Sequence, residues 1–69
     1  MKKENPVNIE DVTIGRIYKN VNTGKEITVI HVGIYPDGEK AVAFLSRKDP
    51  DAPCATWRGA LFCKNFKEV

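Results

Sequence analysis

Few residues in this chain are of the kinds that carry out reactions. It holds one histidine, His31, and two cysteines, Cys54 and Cys63, with eight residues between them. An acid–base or nucleophilic centre needs a reactive group, a base within hydrogen-bond reach and a third group to orient it. His31 lies between Ile30 and Val32 in an apolar run, the setting of a partly buried structural histidine rather than a catalytic one. The cysteines read as two reduced thiols. The alternatives are one disulfide across that short loop, or a metal site to which only His31 adds a third soft ligand. That spacing matches no zinc pattern. No glycine-rich phosphate loop, metal motif or nucleophile elbow is present. The chain is therefore expected to be no enzyme, with no cofactor and no metal.

Binding chemistry is better represented. Tyr18 and Tyr35 with Arg16, Arg47 and Lys48 compose a basic–aromatic set. On one surface, such a set stacks bases at ~1–3 kcal/mol each and attracts phosphates in a salt-dependent way. The competing reading is ordinary strand tyrosines and solvated charges. Trp57, the single tryptophan, packs as core or stands partly exposed to stack a base or anchor a partner. In a strand its neighbour Arg58 points to the opposite face, so the two do not form one site. Trp57, Leu61, Phe62 and Phe66 make an apolar end larger than a very small core requires. The candidate binding residues are Arg16, Tyr18, Tyr35, Arg47, Lys48, Trp57, Arg58 and Phe62.

The elements that position these residues are short. Glu26–Tyr35 is rich in β-branched side chains, which favour strand, and Lys40–Ser46 follows as a second run. Between them Pro36 pre-sets φ, Asp37 tolerates the next turn position and Gly38 accepts positive φ, so the two runs form a hairpin. In the first run the even positions, Thr28, Ile30, Val32 and Ile34, are cleanly apolar and are expected to face the core. Gly33 is expected to mark a bulge or bend. In the second run Val42 and Phe44 share one face. Arg16–Asn20 reads as an earlier strand, joined to Glu26 through the turn Asn22–Lys25. Asn8–Val12 reads as one helical turn capped by Asn8, with Ile9 and Val12 toward the core. Residues 47–53 contain Pro50 and Pro53 and form a loop. Cys54–Arg58 is a fourth strand, Gly59–Phe66 a helical turn, and Phe66–Val69 a short last strand.

Sixty-nine residues make one domain that buries only ~60% of its unfolded surface. Residues 1–8 read as a flexible arm and 9–69 as the folded unit. Net charge is +2, from 11 basic against 9 acidic residues, which permits nucleic-acid contact without arguing for it. No signal peptide and no run approaching a ~20-residue membrane span is visible, so a cytoplasmic location is expected. The fold expected is mainly β: a small curled antiparallel sheet or a closed five-stranded barrel, with a helical turn near the C-terminus.

Two stretches carry a resemblance. Glu10–Tyr18, EDVTIGRIY, resembles the opening of SH3-like small barrels, where a short turn precedes Gly, a basic residue, an apolar residue and Tyr. Trp57-Arg58-Gly59-Ala60-Leu61, followed by Phe66 and Val69, is similar to the ends of small bacterial and phage domains. In those an aromatic strand runs into an Arg-Pro-Leu turn; here Gly59-Ala60 stands in place of Arg-Pro. The resemblance implies an SH3-like barrel and a phage or mobile-element accessory or counter-defence protein, and it supplies no catalytic residues. The function expected is a non-enzymatic module that engages a protein partner. The alternative is a small barrel that binds nucleic acid or sequesters a nucleotide, by itself or through self-association.

Overall fold

The computed structural model describes residues 7–69. Of the arm expected over 1–8, residues 1–6 lie outside the described residues. Val7 packs into the core, and Asn8 caps the 3₁₀ turn Ile9–Asp11 by accepting from the Glu10 N–H at 3.1 Å. Five strands follow: β1 (Ile17–Asn20), β2 (Glu26–Ile34), β3 (Lys40–Ser46), β4 (Ala55–Arg58) and β5 (Phe66–Glu68). The helix α1 (Gly59–Asn65) connects β4 to β5. The strands form one antiparallel sheet in the order β4-β3-β2-β1-β5.

The β2–β3 hairpin turns as its residues dictate. The Gly38 N–H donates to the Tyr35 carbonyl at 2.8 Å, and Gly38 takes φ 94°, which a side chain would resist. Val42 and Phe44 share one face as expected, and that face is the inner one, at 0% and 8% exposure.

On β2 the expected inner face is overturned before the bulge and kept only at Val32 after it. Ile27 and Val29 are buried, whereas Ile30 and Ile34 are exposed. Both faces of β2 are apolar, so its own alternation does not choose between them; the pairing Val29↔Phe44 does, because cross-strand partners share a face. The register then slips between Val29 and His31, with Ile30 as the extra residue. After the slip Val32 pairs with the buried Val42 and packs against the core. The bulge therefore lies at Ile30 and not at Gly33. Gly33 pairs with Ala41, and an added Cβ there would lie 3.3 Å from His31 Nε2.

The core joins Val7, Val12, Tyr18, Ile27, Val29, Val42, Phe44, Phe62 and Phe66. Phe62 from α1 stacks on Phe66 with centroids 4.6 Å apart, and meets Tyr18 edge-on at 5.5 Å. The sheet curls around these rings but does not close into a barrel. Among the described residues β4 pairs with β3 alone and β5 with β1 alone. Among the described residues no strand pairs with the outer edge of β4 or of β5, and these two edges flank an open seam.

Candidate functional site

The open seam holds an apolar cleft. Trp57 of β4, Phe66 of β5 and Phe44 of β3 surround it, with Ile27, Ala55 and Pro53, in a volume of about 340 Å³. Trp57 is half-buried and meets Phe44 and Phe66 edge to face, at 5.7 and 5.3 Å between centroids. Inward positions of three strands supply these rings, because β3 pairs Val42 with Trp57 and Phe44 with Ala55.

Polar groups stand at the mouth. Thr23, Lys25 and Ser46 line the apolar cleft and also a second cleft of about 570 Å³, walled by polar and charged residues and their aliphatic stems. Glu26, Arg47, Lys48 and Asp49 complete the second cleft. Two chain reversals build it: the turn after β1, where Gly24 takes φ 77°, and the start of the loop after β3. Arg47 pairs with Glu26 at 3.0 Å. Lys25 and Lys48 are exposed and pair with no carboxylate.

The residues expected to form a basic–aromatic surface are scattered. Tyr18 and Phe62 are fully buried and line no surface. Tyr18 is held there by its hydroxyl, which accepts from the Thr13 N–H at 3.0 Å and donates to the Asp11 carbonyl at 3.5 Å. Arg16 pairs with Glu68 at 3.0 Å. Tyr35 and Arg58 lie at the far end of the β2–β3 hairpin from Arg47 and Lys48, roughly 25 Å away at ~3.3 Å per residue. There Arg58 donates to Asp37 at 2.9 Å and Glu39 at 2.8 Å, with its guanidinium 4.3 Å from the Tyr35 ring centroid. Its bonds to these two carboxylates hold the Arg58 guanidinium pKa above its ordinary value. The N–H of Glu39 and the Arg58 guanidinium hold the Asp37 carboxyl below the usual range. This cluster ties the hairpin tip to β4, and its hydrogen-bonding groups are engaged with one another. Of the candidate residues, the seam and its mouth gather Trp57, Arg47 and Lys48.

Lys25 and Phe44 as cleft walls escape the sequence reading, which placed Phe66 only in the apolar end. Phe44 and Phe66 were legible as apolar, but which rings reach a surface depends on where the sheet stops. Lys25 was read only as a turn residue.

His31 is exposed, not partly buried, and its side chain makes no hydrogen bond. Both cysteines are free thiols; Cys54 is exposed, and burial pushes the Cys63 thiol pKa up. No helix among the described residues is long and apolar enough to cross a membrane. Leu61, expected in the apolar end, is half exposed on the outside of α1.

No family model matches this chain, and no curated protein or solved structure matches it.

Proposed function

We propose that this chain is a non-enzymatic binding module that takes a segment of a protein partner into the seam between β4 and β5. The observation that carries the reading is the apolar cleft itself. Three aromatic rings border a concave surface at the one place where two strand edges lack partners among the described residues. Edge strands accept an added strand through backbone hydrogen bonds, and flanking pockets select its side chains. A strand added at this seam would bring the curled sheet nearer to the SH3-like barrel that the opening sequence resembles.

A photo-crosslinking side chain at Pro53, on the wall of the seam, tests this in the source cells. A control at Ile34 is exposed and lies at the far end of β2. A discrete protein adduct at position 53 that is missing at 34 supports the reading. No protein adduct at 53, or equal adducts at both positions, counts against it.

The second reading, a nucleotide or nucleic-acid binder, draws on the polar cleft. Lys25, Arg47 and Lys48 beside two hydroxyls form a surface that suits phosphate. Trp57 weakens it as a base platform, because its ring already packs edge to face against two others. A phosphate-dependent adduct at position 53 with nucleic acid alone would favour this second reading.

A further inference from the structure

We infer that the segment received by the seam is an extended acidic peptide. It lies along the free edge of β4, with one apolar side chain in the aromatic cleft and carboxylates toward Lys25 and Lys48. The inference rests on the protein-partner reading and adds the chemistry of the partner.

The backbone favours an extended occupant. β4 hydrogen-bonds to β3 on one side, and the other edge of its four residues has no backbone partner among the described residues. The cleft of about 340 Å³ is at the low end of ligand-site volumes, suited to a side chain more than to a cofactor. In a strand, alternate side chains point to one face about 6.6 Å apart. One apolar residue therefore enters the cleft beside the Trp57–Phe66 pair, against Phe44, Ala55 and Pro53, while residues beyond it reach the mouth.

Charge selects the acid. The structure's ion pairs engage Arg16, Arg47 and Arg58 with carboxylates; Lys25 and Lys48 at the mouth have none, like Lys19, Lys40 and Lys64 elsewhere. Lys25 stands on the rim shared by both clefts. With Arg47 matched by Glu26, Lys25 and Lys48 stand against Asp49 alone, so the mouth carries a small positive excess facing water. Complementary charge at the rim of an interface speeds encounter and fixes register, whereas like charge there is repelled.

The test uses the full chain, labelled with ¹⁵N, and three probes: an alternating Val–Glu nonapeptide, an alternating Val–Lys nonapeptide, and adenosine monophosphate. The Val–Glu peptide is expected to shift the amides of Ala55–Arg58 and Lys25. Its affinity should fall at least about tenfold in the Lys25→Glu/Lys48→Glu variant. The Val–Lys peptide should leave those amides in place. Three results would overturn the inference: no shift from Val–Glu at millimolar concentration, equal shifts from both peptides, or shifts from adenosine monophosphate alone. The peptide comparison needs no substitution, so it decides even if the double variant fails to fold. If a protein crosslinks at position 53 while Val–Glu is inert, the protein-partner reading stands and only the acidic peptide is lost.

Discussion

The rings of Trp57 and Phe66 meet edge to face, 5.3 Å apart at 66°, across two strands that share no backbone hydrogen bond. Side-chain packing thus holds together the two ends of the sheet where the ladder does not. The helix α1 enforces this closeness, since β5 starts one residue after it ends. Replacing Trp57 by Ala removes the contact and enlarges the cleft. A loss of about 3 kcal/mol is expected, at the low end for a large aromatic because the side chain is only partly buried. Urea unfolding followed by far-ultraviolet dichroism measures it, and Trp57→Phe should recover most of the loss.

Tyr18 combines a buried ring with a satisfied hydroxyl. Tyr18→Phe keeps the edge contact with Phe62 but leaves the Thr13 N–H without its acceptor. A cost of about 1–2 kcal/mol follows, mostly from that orphaned donor. Phe62→Ala, by contrast, empties the centre of the core and should cost about 3–5 kcal/mol, comparable to the whole stability of a domain this size. Equal midpoints for wild type and Tyr18→Phe in urea would remove the hydroxyl from the account.

Gly59 begins α1 where the 3₁₀ turn presses on it. A Cβ there would sit 2.8 Å from Ile9 Cδ1, 3.0 Å from Ile9 Cγ1 and 3.3 Å from Lys40 Cβ. Gly59→Ala is therefore expected to destabilise by about 1 kcal/mol despite the better helix propensity of Ala. Ile9→Val removes the closest atom, so the two substitutions together should cost less than their sum. A double-mutant cycle of unfolding free energies reads the coupling, and strict additivity would contradict the contact.

Asp37 links stability to pH. Its folded pKa is depressed, first by the Glu39 N–H at 2.9 Å and then by Arg58. A depressed carboxylate stabilises above its unfolded pKa, ordinarily 3.8, and that contribution is lost as pH falls through the lower folded value. Wild type should therefore melt higher than Asp37→Asn at pH 7, with the gap closing as pH drops below about 4. A gap that stays constant down to pH 2 would show that the ionised carboxylate contributes nothing.

The two thiols should separate by reactivity. Cys54 is exposed on the approach to β4, and Cys63 is partly covered in α1 with its thiol pKa raised. Only the thiolate attacks, so a maleimide at pH 7.5 should label Cys54 first, with a mono-adduct accumulating before the di-adduct. Mass spectrometry with peptide mapping resolves the order; preferential labelling of Cys63 would reverse the assignment.

The local elements were legible in the sequence. Pro36-Asp37-Gly38 fixed the hairpin, Asn8 marked the helical turn, and alternation set Val42 and Phe44 on one face of β3, because each depends on neighbours in the chain. The candidate site was legible only in part. Trp57, Arg47 and Lys48 stood out by type, but nothing local separates them from Tyr18, whose burial comes from Phe62 some forty residues on.

By itself the sequence determined a β-rich meander with its turns and a short C-terminal helix, since φ preferences and side-chain branching act at short range. The tertiary structure alone decided which face of β2 turns inward, where Ile30 breaks the register, and that the sheet stops short of closing. Those choices belong to pairing and ring packing between distant strands. β2 is apolar on both sides, so only its partner Phe44 and the aromatic cluster beneath could choose between them.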